Sequence, residues 1–219
     1  MKQLRTLSLV AALALSLLVT ACGPKIYMAQ DFQAYAPKHK VVAILPASVS
    51  IGLRPNQAKN TSAEQMRQMQ IQSALDYQSR IYAWLLRRNL QQHYTVDFQD
   101  VALTNSMLRK ANISDDDMRT QSPQDLAKML GVDAVLTTSV QTSKPMSDGA
   151  AVAVGVLVGA WGATNQANIT VNINDGASGK LLWKYNFLAS GSVGSSPENM
   201  VNALMRNASR KFPYTPTKG

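Results

Sequence analysis

Hydrophobic and polar positions divide the chain beyond Lys40 into strand and helix signals. Val41 to Leu45 is a short apolar run stopped by Pro46, the pattern of a buried strand with a breaker behind it. "SIGLRPNQAKN" (50–60) has no period and reads as loop. Thr61 and Ser62 stand three residues before Glu64 and Gln65, giving two overlapping capping boxes for a long helix. In that helix Ile71, Ala74, Leu75, Ile81, Tyr82, Leu85 and Leu86 recur at helical spacing, with Gln72, Asp76, Arg80 and Arg87 opposite. "YTVDF" (Tyr94 to Phe98) alternates and predicts a second strand. "LTNSMLRKAN" reads as a short helix with Thr104 as its cap.

Further along, Ser122 supplies a cap, Pro123 a first helical position, Asp125 a first-turn acid and Gly131 a stop. Val132 to Val140 continues as a strand. Ile169, Val171 and Ile173 then alternate with Thr170, Asn172 and Asn174, and "DGASGK" makes a turn. Leu181, Trp183, Tyr185 and Phe187 alternate in turn with Leu182, Lys184 and Asn186, which predicts a hairpin with one buried face. Ser196-Pro197-Glu198 repeats the cap-then-proline device and opens a last helix, with Val201, Leu204, Ala208 and Phe212 on one side. The expected architecture is one α/β domain over 41–212: a compact mixed sheet with a long packing helix, a C-terminal β-hairpin and a final helix.

The amino terminus changes the picture. Lys2 and Arg5 precede the apolar run "TLSLVAALALSLLVT", the charged start and hydrophobic middle of a secretory signal. The run ends Val19-Thr20-Ala21-Cys22, and Cys22 is the only cysteine. This resembles the lipobox of bacterial lipoproteins, which implies a signal peptide over 1–21, cleavage before Cys22, and acylation of that residue with palmitate and further chains. Several acyl chains anchor stably where one is marginal. Gly23 in place of Asp implies, by the same resemblance, passage to the outer membrane with the domain facing the periplasm. Residues 22–40 mix polar, aromatic and proline residues and read as a tether; 213–219 read as a disordered tail.

With Cys22 spent on lipid, no disulfide forms within the chain. The formal charge is +9, and removing Lys2 and Arg5 from 22 basic residues leaves 20 against 13 acidic ones, or +7. The bases are scattered without interleaved aromatics, so nucleic acid is not the expected partner. His39 and His93 sit in no Cys/His cluster, and Asp115, Asp116 and Asp117 lack the spaced ligands and glycine of a calcium loop. There is no Gly-x-Ser-x-Gly elbow and no phosphate loop. Trp183 and Tyr185 read as core positions. The chain is therefore expected to carry no catalytic residues, no metal, no cofactor beyond the lipid, and no evident small-molecule substrate.

Two motifs carry a family resemblance: Leu130-Gly131-Val132-Asp133-Ala134 before a strand, and Asp175-Gly176-Ala177-Ser178-Gly179-Lys180-Leu181-Leu182-Trp183. With "VVAILP" and the long helix, they resemble a bacterial lipoprotein core with a fold like the TolB amino-terminal domain. That core is similar to the curli-secretion channel lipoproteins and to the penicillin-binding-protein activator lipoproteins. The resemblance spans roughly Lys40 to Phe212. It implies a non-enzymatic accessory to envelope assembly or secretion, acting on envelope proteins or as a homo-oligomer. Activation of a peptidoglycan synthase, or membership of a curli-like secretion pore, are the alternatives it leaves open.

One segment fits none of the soluble-domain pattern. "GAAVAVGVLVGAWGA" (149–163) carries no charge. Val152, Val154, Val156 and Val158 alternate as on a strand, while Ala151, Gly155, Gly159 and Ala163 recur every four residues as a small-residue ridge. These valines and Trp161 are the expected partner or membrane contacts, with packing of 151–161 in the local core the other reading the pattern leaves open. The small apolar residues between the valines leave no polar lumen face for a barrel.

Overall fold

The computed structural model describes residues 26–53, 55–143, 166–190 and 197–216. The first half holds β1 (Ile26–Met28), α1 (Phe32–Tyr35), β2 (Val41–Ile44), β3 (Ser48–Ile51), α2 (Pro55–Lys59) and the 30-residue α3 (Ala63–Gln92). Next come β4 (Asp97–Phe98), α4 (Val101–Lys110), α5 (Asp115–Thr120) and α6 (Pro123–Leu130). The last elements are β5 (Ala134–Ser143), β6 (Gln166–Asp175), β7 (Leu181–Ser190) and α7 (Pro197–Ala208). All strands join one mixed sheet in the order β1-β7-β6-β5-β2-β4, with β3 pairing β5 beyond the end of β2. Strands β2 and β3 run parallel to β5, whereas β6, β7 and β1 are antiparallel to their neighbours. The mixed α/β sheet, long helix, hairpin and final helix are those expected.

Local chemistry fixes the main elements. Ser62 accepts from the Gln65 amide while the Gln65 side chain accepts from the Ser62 amide, closing one of the two capping boxes. Ser122 caps α6, Pro123 occupies its first turn, and Gly131 ends it at φ 65°, where a side chain would be strained. Tyr77, Ile81 and Leu85 of α3 and Met200, Val201 and Leu204 of α7 bury against Val140, Ile169, Ile173, Trp183 and Tyr185 on one sheet face. Trp183 and Tyr185 stack with centroids 5.9 Å apart and are core residues, as expected. Behind the other face, Leu108 of α4 and Leu126 and Leu130 of α6 cover Ala43, Leu45 and Val135.

Five expectations change. The described part of the expected tether, 26–40, belongs to the domain: β1 pairs with β7, and Ala29, Phe32 and His39 are buried. An edge strand showing all three side chains to solvent leaves no alternation to read. The expected loop 50–60 holds the end of β3 and all of α2. The strand expected over Tyr94 to Phe98 shortens to Asp97–Phe98, because the Thr95 amide donates to the Tyr214 carbonyl. Asp100, not Thr104, caps α4 by accepting from the Ala102 and Leu103 amides; Thr104 lies buried one turn in. The tail expected over 213–219 is packed at Tyr214, which is 1% exposed.

Candidate functional site

The two family motifs meet at one end of the sheet. Asp133 accepts from the Lys40 and Val41 amides at 2.8 and 2.9 Å, fixing the start of β2. Its carbonyl accepts from the Gly176 amide at 2.8 Å, so the α6–β5 turn clasps the β6–β7 turn. A Cβ at Gly176 would stand 2.7 Å from that carbonyl oxygen, which is why this position has no side chain. Asp175 accepts from the Ser178 amide and hydroxyl at 2.7 and 2.6 Å, and Gly179 completes the turn at φ 70°. Both motifs are joints of the fold.

Inside this joint lies a polar chain that sequence reasoning did not find. His39 Nε2 contacts Asp175 Oδ1 at 2.8 Å and His39 Nδ1 contacts the Tyr214 hydroxyl at 2.6 Å. All three residues are buried. Burial raises the Asp175 carboxyl, but hydrogen bonds from Ser178 and His39 outweigh it and hold the group below the ordinary carboxylate value. Burial pushes the Tyr214 phenol up, with Asp175 and Asp133 adding to the rise. The carboxylate can only accept, so His39 Nε2 donates to Asp175, while Nδ1 pairs with the Tyr214 hydroxyl. Both ring nitrogens are taken by other side chains, so the cluster is a lock joining the N-terminal segment, the hairpin turn and the C-terminal segment. The partners lie 136 and 175 residues from His39 along the chain, so no local pattern points to them.

His93 ends α3 in the left-handed region at φ 51°. Asp117 closes a capping box with Ser114 at the start of α5. Among the described residues no group of three or more His, Cys, Asp or Glu side chains could hold a metal ion. Nor is any of their helices long and apolar enough to cross a membrane.

The other end of the same strands is built differently. On the face turned away from α3 and α7, three rows of neighbours run across β5, β6 and β7. They are Thr137–Asn172–Lys184, Ser139–Thr170–Asn186 and Gln141–Asn168–Leu188. Tyr27 of β1 extends the first row and is 49% exposed. Gln141 and Asn168 are exposed, and Leu188 is exposed at 65%. The β1 pairing stops at Tyr185, so β1 leaves the outer edge of Asn186 to Ser190 uncovered. The Asn172 side-chain carbonyl and the Thr138 hydroxyl are buried without a hydrogen-bond partner.

Cys22, Val152, Val154, Val156, Val158 and Trp161 lie outside the described residues. Their points of attachment do not. Ser143 pairs with Gln166, so 144–165 joins the adjacent ends of β5 and β6. Gln166 pairs with Ser190, which puts the end of β7 there too. β1 begins opposite Tyr185 and runs away from that end. Ser190 lies about 17 Å along the strand from Tyr185.

No protein-family model and no curated protein matches this chain. Solved structures similar to it include the lipoprotein GNA1162 from Neisseria meningitidis, at 13% identity and a TM-score of 0.46, covering 78% of this chain and 94% of that one. A PelC dodecamer from Paraburkholderia phytofirmans is similar at 12% identity and a TM-score of 0.43, covering 90% and 99%. The LpoB C-terminal domain from Escherichia coli is similar at 10% identity and a TM-score of 0.35, covering 74% and 99%.

Proposed function

We propose that this chain is a non-enzymatic outer-membrane lipoprotein, acylated at Cys22 and facing the periplasm. It acts through protein contacts as an accessory to envelope assembly or secretion. The observation that carries this reading is topological: β1 runs away from the end of the sheet at which the uncharged 149–163 run is attached. An acyl anchor and an apolar segment on one side of a domain favour a single orientation, with that end toward the bilayer and the motif end toward the periplasm. Val152, Val154, Val156, Val158 and Trp161 are then the contacts to lipid, to a second copy or to an envelope protein. Large apolar patches, where they face outward, mark association surfaces.

Labelled palmitate supplied to cells tests the anchor, and the Cys22→Ser chain should lose the label. A photo-crosslinking residue placed at Leu188, and separately at exposed Lys128 near the motif end, tests the orientation. Defined adducts to an envelope protein or a second copy are expected from Leu188. Absent palmitate, or adducts confined to Lys128, would overturn the reading.

A further inference from the structure

Where β2 ends and β3 begins, the sheet leaves a gap beside β5, and a cavity of about 650 Å³ opens there between α3 and α5. That volume lies within the range of about 300–1,000 Å³ usual for small-molecule sites. Leu45, Val49, Ile71 and Ala74 give it apolar walls. Its charged lining residues are Arg67 of α3 and Asp116 and Arg119 of α5, all exposed, so the balance is one positive charge. Among the described residues no carboxylate pairs with either guanidinium. Arg119 makes one long contact, 3.4 Å, to the Val49 carbonyl.

Thr138, 2% exposed, also lines the cavity, and its hydroxyl is one of four side-chain polar atoms buried without a partner among the described residues, with Asn172 Oδ1, Trp183 Nε1 and the Tyr185 hydroxyl. Apolar walls and two uncompensated guanidinium groups are complementary to one ligand chemistry.

We infer that this cavity binds an amphipathic anion, a short apolar chain ending in a carboxylate or phosphate, with Arg67 and Arg119 holding the head group. The inference does not depend on membrane anchoring.

The test uses full-length, detergent-free protein carrying 13C-labelled methionine methyl groups. Met118 lines the cavity, and Met200, on α7 and buried in the core, is the internal control. Octanoate and octyl phosphate are titrated separately, with octanol and octylammonium as uncharged and cationic counterparts. A saturable shift at Met118 but not Met200, given by at least one anion and by neither counterpart, is expected. The stronger anion identifies the head group. Arg67→Gln and Arg119→Gln, both at exposed positions, should each weaken binding about tenfold, as loss of a charge-assisted hydrogen bond does. No shift at Met118, equal shifts with octanol, or affinities indifferent to both arginine changes would overturn the inference.

Discussion

The two ends of the β5–β6–β7 strands are made from similar residues and put them to opposite uses. At the motif end, Asp133, Asp175, His39 and Tyr214 are polar, central and fully engaged, with each buried oxygen or nitrogen meeting a partner in another segment. At the far end, Asn168, Gln141 and Leu188 stand in solvent. Polar groups that satisfy one another rigidify a fold, and an exposed apolar group gains by being covered. The difference locates stability at one end and, on the function proposed above, contact at the other.

The largest effect that would test this contrast is at Asp175. Replacing it by alanine strips the acceptor from His39 and from the Ser178 amide, and a stability loss of about 3 kcal/mol is expected. For a domain of this size that is roughly 9 °C in Tm, read by thermal denaturation at neutral pH. The loss should depend on pH with a definite sign. The native Asp175 carboxyl is held below its unfolded value of about 4, so its stabilisation is complete above that pH. It disappears as pH falls through the lower native value, and the wild-type and Asp175→Ala curves should converge in acid. A gap of constant size down to pH 2 would mean that the carboxylate is not what holds the lock.

Next in size is Gly176→Ala. The added methyl would sit 2.7 Å from the Asp133 carbonyl oxygen and 2.8 Å from the Ala127 Cβ, so the two turns must part. Forced overpacking of this kind costs about 2 kcal/mol, and a Tm lower by roughly 6 °C is the expected reading. An unchanged Tm would show that the clasp between the motifs yields freely, and the motif end would lose its claim to rigidity.

Much of this fold is legible in the sequence because its signals are local. Ser122, Pro123, Asp125 and Gly131 punctuate α6 within ten residues, and the alternation of Ile169, Val171 and Ile173 describes β6 with no outside help. The lock is not legible, since nothing near His39 announces Asp175 or Tyr214, and an aromatic between two prolines looks like a tail. β1 is hidden for a related reason: Ile26, Tyr27 and Met28 are all exposed, so pairing with β7 leaves no imprint on their pattern. The Leu182–Trp183 pair defeats simple alternation because a bulge at Ile173/Asn174 turns two successive side chains inward. The cavity is hidden too. Arg67, Arg119 and Thr138 become neighbours only once α3 and α5 meet the gap between β2 and β3.

The smallest effect on stability is expected at Leu188, and it bears most directly on function. Leu188 is 65% exposed and sits on the length of β7 that β1 leaves uncovered. Exposed apolar residues on unpaired strand edges invite association, and lysine there discourages it. Leu188→Lys should leave stability within about 0.5 kcal/mol of wild type, as surface substitutions do. The same change should diminish self-association or partner capture, measured by light scattering and by crosslinking in cells. A Tm loss as large as that of Gly176→Ala would place Leu188 in the core and erase the contrast between the ends. Unchanged Tm with unchanged association would leave that contrast standing but move the contact elsewhere, to the 149–163 run that connects β5 to β6 in sequence.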